Sequence, residues 1–92
     1  MDLNSYVDEV RDFMEKINGL NRGSEEKIIW LEEEFSLLKI SVTANEADKI
    51  RHQIYDMMFL LFEICVDHDF DLVSEWELGR EKKQKKNLSG RT

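Results

Sequence analysis

Apolar residues recur at steps of three and four along most of the chain, which is the spacing of residues on one face of an α-helix. From Tyr6 onward this pattern predicts a first helix whose inward stripe is Val7, Val10, Met14 and Ile17. Asn18-Gly19 has the residue types of a helix exit, so we expect the helix to end there and a loop to follow as far as Gly23.

Two further helices follow this loop. Ser24 is a suitable N-cap, and the second helix is predicted to run to about Ser41 with an inward stripe of Ile28, Leu31, Phe35 and Leu38. The spacing of Thr43 and Glu46 matches a capping box and predicts the start of a third helix, whose first half faces inward through Ala47, Ile50 and Ile54.

The second half of the third helix, residues 57–66, is apolar on every side except at Glu63. The segment is too short to span a bilayer, so other helices are expected to cover it. A domain of this size buries only about 60 to 65% of its unfolded surface. We therefore predict that some of the covering helices come from a second copy of the chain. Glu63 is then a buried charge that needs a partner or a metal.

A fourth helix is predicted from Leu72, after an acidic turn at residues 67–71, and it continues into basic residues up to Lys86. The chain has no proline and only four glycines, which favours long helices over a turn-rich β architecture. We predict an all-α fold, with a single four-helix domain over residues 1–88 and a frayed tail at residues 89–92.

The charge is distributed unevenly. Residues 1–79 carry 7 basic and 19 acidic side chains, whereas residues 80–92 carry 6 basic side chains and one acidic one. An acidic body repels nucleic acid, and the basic run lacks the aromatic residues that favour single-strand binding, so nucleic acid is not expected as a partner. A single cysteine, Cys65, and an N-terminus without a signal-peptide pattern indicate a cytoplasmic protein that does not bind membranes.

Carboxylates on the second and third helices are the candidate chemistry. Residues 32–34 are three consecutive glutamates, while Gln53 and Asp56 are three residues apart and therefore share a helix face. Oxygen ligands from two antiparallel helices suit Mg²⁺, which binds substrate phosphates and activates a water molecule. The same acids also fit a solvated surface, and His52 with Asp56 fits either a transition metal or a surface salt bridge. The sequence has no glycine-rich phosphate loop, zinc-binding spacing or Ser-His-Asp set.

The order of these motifs resembles that of the MazG-like all-α nucleotide pyrophosphohydrolases, over residues 5–88. In that family a Glu-Glu-x-x-Glu motif on one helix faces a Glu-x-x-Asp motif on the next, and a basic stretch follows on a later helix. Residues 27–40 look like the first motif, with Glu33-Glu34 as its paired acids, and residues 52–61 look like the second, with Asp56 as its aspartate. Leu37 and Gln53 stand where the family has glutamates, so two of its four carboxylates are replaced.

The resemblance implies a nucleotide-binding protein or, where the site is intact, a pyrophosphohydrolase that uses Mg²⁺ or Mn²⁺ to hydrolyse a nucleoside triphosphate to the monophosphate and pyrophosphate. It implies three residue sets: catalytic Glu33, Glu34 and Asp56; metal-binding Glu34, Gln53, Asp56 and Glu63; and phosphate-binding Arg80, Lys83 and Lys86. The replaced carboxylates favour an alternative, in which a catalytically inactive MazG-like bundle acts as a protein-binding or regulatory module. A homodimer is expected under both hypotheses.

Overall fold

Four α-helices make up the described part of the computed structural model, which comprises residues 2–20 and 22–88. They are α1 (Leu3–Lys16), α2 (Ser24–Thr43), α3 (Ala47–His68) and α4 (Leu72–Leu88). No strand occurs among these residues, so the all-α prediction is confirmed. The predicted frayed tail, residues 89–92, lies outside them. Within the described ranges, no helix combines the length and the apolar character needed to cross a membrane.

The first helix begins at Leu3 rather than at Tyr6, because Asp2 caps it. The Asp2 carboxylate accepts a hydrogen bond from the backbone N–H of Ser5 at 2.9 Å, and the Ser5 hydroxyl accepts one from the Asp2 N–H at 3.4 Å. The predicted inward residues Val7, Val10 and Met14 are buried. Ile17 was predicted to face inward, but it forms the C-cap beyond the last helical turn and is exposed.

The third helix is the centre of the fold. Antiparallel α2 packs along one side of it, and α1 packs on another side through aromatic contacts. Tyr6 stacks on Phe62 with ring centroids 6.2 Å apart, and Phe13 meets Phe59 edge-on at 5.8 Å. The first helix therefore covers the flank of α3 that carries these two phenylalanines.

The start of α4 is fixed to the start of α1 by Asn4. Its amide donates a hydrogen bond to the Asp71 carboxylate at 2.9 Å, and its side-chain oxygen accepts one from the backbone N–H of Leu72 at 2.9 Å. Hydrogen bonds from Asn4 and from the backbone and hydroxyl of Ser74 lower the pKa of Asp71 to about 2. The carboxylate therefore stays ionised at neutral pH and holds both helix ends together.

The connection between α2 and α3 differs from the prediction. The second helix continues through Thr43, and α3 begins at Ala47 after Glu46, whose side chain makes no capping hydrogen bond. The predicted capping box of Thr43 and Glu46 is therefore wrong. The chain reverses at Asn45, which has a φ of 56°, a left-handed conformation that asparagine tolerates better than most residues.

The stripe of α2 that faces α3 mixes polar and apolar residues, and Leu31 and Leu38 of the predicted stripe are half-buried in it. Lys27 and Ser41 are only 1% and 5% exposed, whereas Ile28 and Phe35 of the predicted stripe are 45% and 50% exposed. The residues along the seam between the two helices repeat every seven positions, and we call them the contact row: Lys27, Glu34 and Ser41 on α2, and Gln53, Leu60 and Asp67 on α3. The contact row thus lies beside the predicted stripe, whose Leu31 and Leu38 stay half-buried while Ile28 and Phe35 are turned outward.

Candidate functional site

The two motifs of the sequence meet at the seam between α2 and α3. The side-chain amide of Gln53, which is 8% exposed, donates hydrogen bonds to the carboxylate of Glu34 and, at 3.3 Å, to the Glu34 backbone carbonyl oxygen. The antiparallel packing of the two helices makes this contact possible, because Gln53 lies in the first half of α3 and Glu34 in the middle of α2. One predicted metal ligand is therefore hydrogen-bonded to another.

The two residues that the sequence resemblance aligns with glutamates lie in the same place. Leu37 and Gln53 both line a surface depression of about 420 Å³, together with Ile40, Ser41, Asp48, Lys49 and His52. Mg²⁺ requires oxygen ligands that include carboxylates. Leucine offers no ligand atom, and the Gln53 amide nitrogen is directed at the Glu34 carboxylate. This set of donors does not fit a resident Mg²⁺ ion.

Asp56 contacts His52, one helical turn before it on α3. Its carboxylate lies 3.1 Å from His52 Nε2, and the Asp56 side chain is 30% exposed. Glu33, one of the predicted catalytic residues, lies exposed on α2. Over residues 2–20 and 22–88, no three histidine, cysteine, aspartate or glutamate side chains lie close enough together to hold a metal ion.

Glu63 belongs to a separate ionic cluster near the end of α3. It is only 5% exposed, as the sequence predicted, and burial raises its pKa while the Lys27 ammonium group opposes that rise. Lys27 Nζ contacts both carboxylate oxygens of Asp67, at 2.6 and 2.8 Å. The ammonium group of Lys27 thus lies near two acids, with its ion pair to Asp67, and seven residues, about 10 Å of helix, separate Glu63 from Asp56.

Sequence reasoning missed Lys27 and Asp67, which form this buried ion pair. The pair is extended by the Ser24 hydroxyl, which donates to Asp67 at 2.9 Å and lies 3.2 Å from His68 Nε2. The signal that could have revealed them is the seven-residue spacing of Lys27 and Glu34, which places both on one face of α2. The apolar stripe beside them gave the stronger pattern.

The predicted phosphate-binding residues lie elsewhere on the chain. Arg80 and Lys83 line a groove of about 740 Å³ between α3 and α4, whose apolar walls include Leu61, Cys65 and Trp76. Lys86 is exposed farther along α4. This groove, which we call the α3–α4 groove, is distinct from the depression lined by Leu37 and Gln53. Arg80 and Lys83 of one chain therefore do not line that depression.

No family model, curated protein or solved structure matches this chain.

Proposed function

We propose that this chain is a MazG-like helical bundle that does not hydrolyse nucleotides and acts as a protein-binding or regulatory module. The observation that carries the proposal is the hydrogen bond from the Gln53 amide to the Glu34 carboxylate. An amide donor satisfies the carboxylate without adding negative charge, and the charge of an oxygen site is what makes it competitive for Mg²⁺. Leucine at position 37 removes a further ligand from the same region.

The protein-binding part of the proposal is supported by apolar side chains that remain exposed on both helices of the seam. Those on α2 and α3 with exposures between 45% and 56% include Ile28, Phe35, Val42, Ile54 and Leu61. Large contiguous apolar patches on soluble proteins mark interaction surfaces. The first partner we propose is a second copy of the chain, since a domain this small gains much of its buried surface by association.

The second candidate function is the Mg²⁺- or Mn²⁺-dependent pyrophosphohydrolase that the resemblance implies. It is favoured by the position of Glu34 against the second motif and by the partly exposed carboxylate of Asp56. Glu33, Glu34 and Asp56 would then be catalytic, with Gln53 and Glu63 assisting at the metal and Arg80, Lys83 and Lys86 receiving phosphate charge. This candidate requires the Gln53 side chain to present its oxygen, rather than its nitrogen, to the metal.

Pyrophosphate release separates the two candidates. The purified protein is incubated with each common nucleoside triphosphate and either Mg²⁺ or Mn²⁺, and pyrophosphate is measured against a protein-free control. We expect no release above the control, because the carboxylates needed to hold the metal are replaced. Release that is abolished by Asp56→Ala would overturn the proposal in favour of the hydrolase.

A further inference from the structure

We infer that the α3–α4 groove binds α2 of a second copy, so that the acidic outer flank of α2 in one copy meets the basic wall of α4 in the other. The inference rests on the proposed protein-binding role and specifies its first partner. Four features of the described residues carry it: the position of the exposed apolar row, its periodicity, its continuity with the groove, and the charges on either side.

One set of exposed apolar residues of α2 and α3 lies on one side of the helix pair, whereas others, such as Ile29 and Ile40, lie elsewhere around α2. Each residue of the set directly follows a member of the contact row, and we call the set the open row: Ile28, Phe35 and Val42 on α2, and Ile54 and Leu61 on α3. Both helices are right-handed and they run antiparallel. One step beyond the contact row therefore leads to the same side of the pair in both helices. The open row thus forms one apolar face shared by α2 and α3.

The open row of α2 has the periodicity of a helix that packs against another helix along its length. With Leu31 and Leu38, its members follow one another at steps of three, four, three and four residues. This heptad spacing keeps one face of a helix against a neighbour over several turns. Within the chain, Leu31 and Leu38 are half-buried beside the contact row, whereas Phe35 and Val42 are 50% and 56% exposed. The pattern therefore favours a further helix against this face.

The open row continues into the α3–α4 groove. Leu61 belongs to both, and Met58 beside it lines the groove and is also exposed. On the opposite wall, Trp76 of α4 is 62% exposed although it lines an apolar groove. A helix that covers the open row of α3 would also bury one side of Trp76. The groove and the open row are thus parts of one continuous apolar surface.

Charge complementarity favours α2 of a second copy as this helix. Glu25 and Glu32 precede Ile28 and Phe35 by three residues, which places them on the flank of the open row that is remote from α3. The groove wall on α4 presents Arg80 and Lys83. A helix with its apolar row toward the groove would carry its acidic flank toward these two bases. In a two-fold dimer the contact occurs twice.

Charge exchange tests the arrangement on the full chain. The dimer dissociation constant is measured by sedimentation equilibrium at low salt, with circular dichroism showing that each variant remains helical. Reversing both groove charges in the variant Arg80→Glu/Lys83→Glu should weaken the dimer at least tenfold. Adding Glu25→Lys/Glu32→Lys to the same chain should restore most of the affinity, because opposite charges then face each other again.

The matched control is Lys82→Glu/Lys85→Glu, which changes the net charge equally at exposed α4 positions that do not line the groove. We expect it to alter the dissociation constant by less than about threefold. Equal weakening by both pairs, or no recovery in the fourfold variant, overturns the groove assignment while self-association stands. A monomer at every concentration overturns both. Neither result bears on catalysis, which the pyrophosphate assay measures independently.

Discussion

Replacing Lys27 by methionine destabilises the folded chain by about 3 to 5 kcal/mol, the range expected when one member of a buried ion pair is removed. Lys27 is 1% exposed and the Asp67 side chain 14% exposed, so neither charge is well hydrated. Methionine keeps most of the volume of lysine but leaves the Asp67 carboxylate without its cation. It also removes the ammonium group that opposes the raised pKa of Glu63. Urea denaturation at neutral pH measures the change.

The double variant Lys27→Met/Asp67→Leu separates the loss of charge pairing from the loss of packing. A buried pair replaced on both sides by apolar residues is often neutral in stability, so we expect the double variant to recover most of the lost stability, less the contribution of the Lys27 charge near Glu63. If Lys27→Met alone leaves the urea midpoint unchanged, Lys27 is not buried in the seam and the orientation of α2 is wrong.

Substituting Phe35 by glutamate is expected to dissociate the proposed dimer while leaving the helices folded. Phe35 is at the centre of the open row on α2, and it is 50% exposed in the single chain, so its replacement costs little within one copy. In the dimer the new charge enters an apolar interface twice by symmetry. We expect the dissociation constant to rise by about a hundredfold or more. Light scattering over a range of concentrations measures this change.

Ile40→Glu is the matched control for this substitution. It exchanges an apolar residue for the same acid on the same helix, at a position that is 64% exposed and about 140° around the helix from Phe35. We expect its dissociation constant to stay close to that of the original chain. Comparable dissociation by both variants would show that the open row does not form the interface.

The helices were predictable because the three- and four-residue spacing of apolar residues indicates each helix from its own segment of the sequence. Periodicity identified four helices, and Val7, Val10 and Met14 are buried as it predicted. The orientation of α2 was not predictable in this way, since hydrophobic periodicity assumes that the most apolar face is the one buried within the chain. In α2 the polar residues Lys27 and Glu34 have matching partners on α3, and Ile28 and Phe35 of the predicted stripe are left exposed.

The sequence predicted only the part of the candidate site that depends on which helices are neighbours. The contact between Gln53 and Glu34 follows from antiparallel packing of neighbouring helices, which the order of the motifs indicated. The nearness of Lys27 to Glu63 could not be predicted from the sequence. Lys27 lies 36 positions away, and its burial depends on the rotation of α2. The position of Arg80 in a groove beside α3 likewise depends on the tertiary anchoring of α4 by Asn4.

Metal binding by calorimetry tests the central proposal, that the seam with the hydrogen-bonded Gln53 and Glu34 holds no metal ion. Mn²⁺ and Mg²⁺ are titrated into the original chain and into Leu37→Glu/Gln53→Glu, which puts both carboxylates into the depression. We predict no specific binding to the original chain at millimolar metal and measurable binding to the variant, since added carboxylates raise the affinity of an oxygen site. Stoichiometric binding to the original chain, abolished by Asp56→Ala, would contradict the account.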